Sequence, residues 1–187
     1  GNRLGQMTTR TTPSGVETLV TSHEYDVSGR LVKTTDPDGT STRTVYDALG
    51  RQAESYDKLG RKTSYEYDLM GRLVKTTYLD TTFEAHEYDA EGRRTSSTDR
   101  GGRTTRYEYD PLGRLRKTTH ADSTFTESTY DTAGRLWQVV KAPQGDSPTT
   151  TTYGYDANGN RLSKTDQTGT IAGTHDDQDR LLTYGDA

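Results

Sequence analysis

Polar and apolar positions alternate along short stretches of this chain. In Thr63-Ser64-Tyr65-Glu66-Tyr67-Asp68, Thr63, Tyr65 and Tyr67 share one side of an extended backbone, and Ser64, Glu66 and Asp68 the other. Thr105-Arg106-Tyr107-Glu108-Tyr109-Asp110 repeats the arrangement. A period of two belongs to a half-exposed β-strand, and the abundant Thr and Tyr favour strands. No convincing helical pattern appears.

The strands are punctuated on a beat of 21 residues. The pairs Tyr25-Asp26, Tyr46-Asp47, Tyr67-Asp68, Tyr88-Asp89, Tyr109-Asp110 and Tyr130-Asp131 each stand 21 residues after the last. Each is followed at a fixed offset by a Gly-Arg pair: Gly29-Arg30, Gly50-Arg51, Gly71-Arg72, Gly92-Arg93, Gly113-Arg114 and Gly134-Arg135. Tyr155-Asp156 with Gly159 follows after a longer step of 25, and a last unit carries His175-Asp176-Asp177 where Tyr-Asp is due. Fixed self-similarity of this kind predicts a repeat architecture. The whole chain, 1–187, is expected to form one repeat array, regular over 1–140 and irregular over 141–187. Gly1-Asn2-Arg3-Leu4 copies Gly159-Asn160-Arg161-Leu162, so the array is expected to be a fragment with both ends in mid-repeat.

Each unit predicts two turns. In Tyr25-Asp26-Val27-Ser28-Gly29-Arg30 the spacing fits a three-residue hairpin loop, a type I turn followed by a residue of positive φ. Gly29 takes the positive-φ place, and Asp26 stands where its carboxylate accepts backbone N–H groups two residues on. A second turn falls about ten residues later: Asp36-Pro37-Asp38-Gly39, Asp57-Lys58-Leu59-Gly60, Asp99-Arg100-Gly101-Gly102 and Asp166-Gln167-Thr168-Gly169, with Thr12-Pro13-Ser14-Gly15 near the start. Turns this tight join antiparallel strands only. The expected fold class is therefore all-β, a repetitive antiparallel meander with two strands of about seven residues per unit. The four residues in excess before Tyr155 are expected in a longer turn around Pro143-Gln144-Gly145-Asp146-Ser147-Pro148.

Equivalent Tyr residues are expected to form rows across the sheet, packed on Leu or Thr of intervening strands. The repeat Arg is placed either to pair with its own Asp or to lie over a Tyr ring. A second period of 42 is also present. Arg30-Leu31-Val32-Lys33-Thr34-Thr35 recurs unchanged at 72–77 and nearly so at 114–119. Duplication of a two-hairpin segment and different surroundings for alternate hairpins both account for it.

Composition narrows the class further. Leu, Ile, Val and Phe make up about 13% of the 187 residues, below the roughly 20% of packed globular chains, and the mean hydropathy is -1.04. A chain so poor in aliphatic side chains cannot fill a thick core. Disorder is opposed by a net charge of only -4 and by 13 Tyr, most of them periodic. There is no Cys, which excludes disulfides and thiolate metal sites. No apolar run is long enough for a membrane span.

Candidate chemistry is sparse. His23 and His86 stand two residues before a repeat Tyr, where Tyr65, Tyr107 and Tyr153 stand in other copies, so they are spaced as aromatic substitutes and not as metal ligands. With His120 and His175 they complete the four His. Ser lacks a nucleophile-elbow setting, and no Gly-rich phosphate loop opens a helix. The 24 Lys and Arg are scattered among 28 acids, which argues against nucleic acid. No cofactor is expected, and the chain reads as non-enzymatic. The Tyr, Asp, Gly and Arg of the repeat are read as structural motif residues.

Tyr-Asp-x-x-Gly-Arg-Leu units at this spacing resemble the RHS, or YD, repeats, over essentially the whole chain. The resemblance implies a β-strip that is curved and spiralling, part of a hollow shell or barrel. It also implies a large secreted or cell-surface bacterial protein, and a partner in an enclosed C-terminal toxin domain. Related barrels in animal teneurins serve adhesion. Some members end the shell with a self-cleaving segment rich in Asp-Pro-x-Gly. Asp36-Pro37-Asp38-Gly39 and Asp110-Pro111-Leu112-Gly113 look similar but fall on the repeat's own turns, and no cleavage role is assigned to them. The leading expectation is a wall segment whose immediate partners are neighbouring repeats. The alternatives are a surface module binding glycans or proteins, and a fibre that associates through exposed sheet edges.

Overall fold

The structure is a computed structural model. It describes the backbone of residues 3–12, 15–176 and 178–185, and side chains from Leu19 onward within those ranges. The expectations for Gly1-Asn2, Pro13-Ser14 and Asp177 lie outside the described residues.

Among the described residues there are seventeen strands and no helix. The chain divides into two compact units, residues 1–86 with 99–102, and 87–98 with 103–187. The first unit carries β1 (Arg3–Thr12), β2 (Gly15–Tyr25), β3 (Leu31–Thr35), β4 (Ser41–Tyr46), β5 (Gln52–Tyr56), β6 (Lys62–Tyr67), β7 (Leu73–Thr77) and the start of β8 (Phe83–Tyr88). From β1 to β8 the sequence neighbours pair antiparallel. The second unit carries β9 (Arg94–Thr98), β10 (Thr104–Tyr109), β11 (Leu115–Thr119), β12 (Phe125–Tyr130), β13 (Leu136–Ala142), β14 (Thr149–Tyr155), β15 (Arg161–Asp166), β16 (Gly169–His175) and β17 (Leu181–Tyr184). From β9 onward, sequence neighbours again pair antiparallel. The fold is the all-β meander that two turns per repeat dictate.

Strands of five and six residues alternate through the regular repeats, slightly shorter than the spacing suggested. The difference lies in the turns, each of which takes five residues, as at 26–30 and 36–40. A further irregularity follows each Tyr-Asp turn. Tyr25 faces Leu31 while Glu24 faces Lys33, so Val32 has no partner and forms a β-bulge. The same shift recurs at Val45/Tyr46, Glu66/Tyr67, Glu108/Tyr109, Thr129/Tyr130 and Gly154/Tyr155. A bulge bends its strand and increases the local twist, so each repeat carries its own bend.

The irregular hairpin before Tyr155 does not simply gain a longer turn. Against β11 and β12, β13 is longer by two residues, the following loop by one and β14 by one. Three of the four extra residues therefore lengthen the strands.

No apolar side chain is buried among the described residues, and the buried polar residues are Thr76 and Ser96. Large apolar side chains stand exposed at turn tips, among them Val27, Leu49, Leu69, Met70 and Leu112. The sheet is held by ladders, turns and side-chain rows, as the poverty in aliphatic residues requires.

Candidate functional site

The repeated motif residues assemble one structure at each Tyr-Asp hairpin. In the second copy the Gly50 N–H donates to the Asp47 carbonyl at 3.0 Å, and the Asp47 N–H to the Arg51 carbonyl at 2.8 Å. Gly50 has φ 82°. This is the predicted type I turn closed by a positive-φ residue. Oδ1 of Asp47 accepts the N–H groups of Leu49 and Arg51, each at 2.9 Å. Oδ2 accepts Nε of Arg51 at 2.7 Å. The Arg51 N–H, with help from its guanidinium and against partial burial, holds the Asp47 carboxyl below the usual carboxylate range. Asp26 and Asp131 are lowered in the same way, with the N–H of Arg30 and of Arg135 as the largest influence.

The guanidinium then reaches the next repeat. Arg51 lies over the Tyr67 ring, 4.7 Å from its centroid, and donates from Nη1 to the Asp68 carbonyl at 3.3 Å. Tyr67 in turn donates its hydroxyl to the Gln52 carbonyl at 2.9 Å. Gln52 follows Arg51 in the chain, so the contacts close into a loop from turn to turn. The stacking recurs as Arg30 over Tyr46 at 4.6 Å, Arg93 over Tyr109 at 4.9 Å, Arg114 over Tyr130 at 4.2 Å and Arg135 over Tyr155 at 4.8 Å. The hydroxyl bond recurs from Tyr46 to Leu31, Tyr109 to Arg94, Tyr130 to Leu115 and Tyr155 to Leu136. The sequence left ion pair and ring as alternatives for the Arg. The structure makes both at once, and the ring belongs to the following repeat. The guanidinium roofs these rings, while in the ladder Tyr67 and Tyr109 stand opposite Leu73 and Leu115, and Tyr65 and Tyr107 opposite Thr76 and Thr118, as expected.

The motif Gly has a second role beyond its turn. A Cβ on Gly50 would lie 2.9 Å from Nη1 of Arg30, and on Gly134 3.4 Å from Nη1 of Arg114. The Gly keeps the path of the preceding Arg clear. Nothing in the spacing within one unit announces this, because the contact spans two units.

The last copies modify the lock. Asn160 stands where Arg is due and donates from Nδ2 to Asp156 Oδ2 at 3.0 Å. Asp179 replaces the Gly of the final turn, with φ 61°. Its Oδ1 accepts from Asn160 at 2.7 Å and from Asn158 at 2.9 Å. A short amide and a carboxylate thus do the joining that Arg and Tyr do elsewhere.

Second turns come in two kinds, and these give the 42-residue period a structural meaning. In Asp57-Lys58-Leu59-Gly60-Arg61 the first residue caps the turn, as in the Tyr-Asp hairpins. In Asp36-Pro37-Asp38-Gly39-Thr40 the third residue does so, Asp38 Oδ1 accepting the Thr40 N–H at 2.9 Å and its hydroxyl at 2.7 Å. The counterparts Asp80 with Thr82 and Asp122 with Thr124 repeat this 42 and 84 residues later. Those two turns lack the Gly that marks the others, because Thr81 and Ser123, at φ 67° and 68°, hold its position. The Asp-x-Thr signal was present in all three. The turn at Asp166 differs from both kinds: Asp166 pairs directly with Gly169 across a two-residue loop.

His23 sits in a Tyr row as expected, its Nδ1 3.1 Å from the Thr34 hydroxyl. Among the described residues no group of three or more His, Asp and Glu is placed to hold a metal ion. Among the described residues no helix is long and apolar enough to cross a membrane. The motif's ionised groups are engaged by turn amides and by the adjoining repeat, so their chemistry is that of joining hairpins.

The comparisons agree with this geometry. The RHS Repeat model matches residues 1–44, 46–82 and 88–124, and the Teneurin YD-shell model matches 116–187. No curated protein matches the chain. Among solved structures, the crystal structure of TcdB2-TccC3-Cdc42 is similar at a TM-score of 0.58 and 18% identity, over 96% of this chain and 12% of that one. TcdB2-TccC3 gives 0.45 and 17%, over 97% and 14%. The Tc holotoxin pore of Photorhabdus luminescens, with the TccC3-D651A mutation, gives 0.37 and 15%, over 97% and 16%. The chain thus spans a small part of the length of the structures it resembles. With the repeat model covering well over half of its residues, and one Tyr-Asp-Gly-Arg lock recurring from hairpin to hairpin, this chain belongs to the RHS repeat family.

Proposed function

We propose that the chain is a non-enzymatic wall segment of an RHS-type β-shell, in a secreted or surface-delivered bacterial protein, and that it works by containment of a cargo domain. One observation carries the reading. The repeated polar chemistry joins each hairpin to the next, while no apolar side chain is buried among the described residues. A sheet built this way grows by adding hairpins and gains nothing by collapsing into a ball. The bulge after each Tyr-Asp turn supplies a bend per repeat, as a curved wall needs. The fold likeness to a longer chain of which this one covers 12% supports a segment of a larger wall.

The test uses the parent polypeptide. Limited proteolysis is expected to leave the segment beyond the array intact until the array itself is cut. Cleavage of that segment at the rate of an unfolded chain, with the array still whole, would overturn containment. Saturable binding on a glycan array would point to adhesion instead. Concentration-dependent growth in sedimentation would point to a fibre.

A further inference from the structure

The 42-residue period lets each side chain of the first two-hairpin block be compared with its counterparts. One site departs from them in a way that costs stability. In the β3–β4 pair, Lys33 stands directly opposite Arg43. The counterpart pairs are Lys75 with Ala85 and Lys117 with Glu127. Like charges directly opposite in an antiparallel pair repel, and the other two blocks place a small residue or an acid there.

A second departure lies beside the first. Phe83 and Phe125 open β8 and β12, and the ammonium groups of Lys75 and Lys117 lie over their rings at 5.0 and 4.3 Å. The counterpart in β4 is Ser41. A groove of about 670 Å³ lies here, lined by Lys33, Ser41, Arg43, Tyr56 and Lys58 and also by Asp38 and Asp57. Tyr56, whose counterpart is Thr98, supports the Arg43 guanidinium 4.0 Å from its ring centroid. Stacking fixes one face of a guanidinium and leaves its N–H edges for in-plane oxygen acceptors.

The nearby acids are engaged elsewhere. Asp38 accepts the Thr40 N–H and hydroxyl, and Asp57 accepts from Arg61 and two turn amides. Lys58 pairs with Asp36, and Glu54 with Lys62 and the Tyr56 hydroxyl. Glu24 lies 4.0 Å from Lys33 on the far side from Arg43. Arg43 stacks on the Tyr56 ring and has no carboxylate within ion-pair distance among the described residues, the nearest influence being Glu54, which feels its charge while bonded to Lys62 and Tyr56.

We propose that this groove binds a sulfate or phosphate group, held in-plane by Arg43, balanced by Lys33 and bonded by the Ser41 hydroxyl. Bidentate contact with an oxyanion is what a stacked guanidinium does best, and the open groove suits a group carried on a larger molecule. The inference does not depend on containment: a wall segment and an adhesion module carry such a site equally well.

The experiment is an amide-resolved NMR titration of the chain at low salt. The probes are inorganic sulfate, inorganic phosphate and a sulfated oligosaccharide. Saturable shifts are expected at Lys33, Ser41 and Arg43, and not at Lys75, Ala85, Lys117 or Glu127. Arg43→Ala and Ser41→Phe each restore a counterpart residue, and each is expected to weaken binding about tenfold or more. Arg43→Ala also removes the like-charged pair, so its melting temperature should equal or exceed that of the parent. Loss of binding in that variant at an undiminished melting temperature is then not loss of fold. Saturation by the free ions identifies a simple oxyanion site, and saturation by the oligosaccharide alone identifies a site for a carried sulfate. The proposal is overturned by the absence of saturable shifts with all three probes, by unchanged affinity in both variants, or by equal shifts at the counterpart residues.

Discussion

The guanidinium of Arg51 lies 4.7 Å from the ring centroid of Tyr67, one repeat further along the chain. The Tyr67 hydroxyl bonds back to the carbonyl of the residue after Arg51. Tyr67→Phe keeps the ring under the guanidinium and removes only that bond, so it should cost about 1 kcal/mol. Arg51→Lys keeps the charge but loses the planar fork that serves Asp47, Asp68 and Tyr67 together, and should lower the melting temperature further. Urea unfolding of the two single variants and the double variant checks this. The double variant should be more stable than the sum of the single losses predicts, because the two residues belong to one loop of contacts. Strict additivity would show that the contacts act independently.

Glycines of the same motif should differ in their tolerance of Ala. Gly29 and Gly50 have nearly equal φ, 80° and 82°, so Ala at either carries the left-handed penalty of about 1 kcal/mol. Nothing lies within 4 Å of a Cβ built on Gly29, whereas one on Gly50 meets Arg30 at 2.9 Å. Gly50→Ala should therefore melt lower than Gly29→Ala. It should also displace Arg30 from the Tyr46 ring, seen as a change in the Tyr46 ring-proton shifts. Equal melting temperatures would mean that the Arg30 side chain moves aside at no cost.

The turns at Tyr78–Thr82 and His120–Thr124 show where legibility ended. The Tyr-Asp hairpins were readable because Asp and Gly mark both ends of the loop within five residues. Thr81 and Ser123 erase the Gly mark while the backbone keeps the same shape, so only comparison 42 residues apart exposes them. The join between Arg51 and Tyr67 was hidden for a related reason: its partners lie in different units, and spacing within one unit carries no record of it. The bulge at Val32 was likewise silent, since a single unpaired residue changes no residue type. Thr81 gives a direct check of the first point. A β-branched residue at φ 67° is strained, so Thr81→Gly should raise stability by about 1 kcal/mol. An unchanged or lower midpoint in thermal unfolding would place an offsetting role in the Thr81 side chain.

The many capping Asp make stability depend on acid in one direction. Asp26, Asp47, Asp57 and Asp131 are all lowered from 3.8, each chiefly by hydrogen bonds from the Arg four residues on. A group lowered in the folded state binds its proton more readily when unfolded. Its stabilisation is complete above the unfolded value, near 4, and is lost as the pH falls through the folded value. Urea midpoints should be level between about pH 5 and 8 and fall steeply below about 4. On the alkaline side Lys58, Lys62 and Lys164 are raised above 10.5, mainly by bonds to Asp36, Glu54 and Asp166. Their contribution is present below 10.5 and lost only as the pH rises through those higher values. A chain as stable at pH 3 as at pH 7 would mean that the caps do not bear on global unfolding.

The final hairpin tests whether the lock tolerates a change of parts. Asp179 holds the Gly position at φ 61° and accepts amide hydrogens from Asn158 and Asn160. Asn tolerates the left-handed region and keeps an acceptor oxygen, so Asp179→Asn should leave the hairpin near its original stability. Asp179→Gly relieves the backbone but removes the acceptor, and should weaken it moderately. Asp179→Ala loses the acceptor and retains the strain, and should weaken it most, by about 2 kcal/mol. Hydrogen exchange of the Thr174 and Thr183 amides in the β16–β17 ladder is the proper readout, because it reports local opening as well as global unfolding. In that order of protection, the carboxylate stands in for a glycine because the Arg that would have needed the space has itself become Asn160. If Asp179→Ala protects as well as Asp179→Asn, the amide contacts contribute nothing and the hairpin is held by its ladder alone.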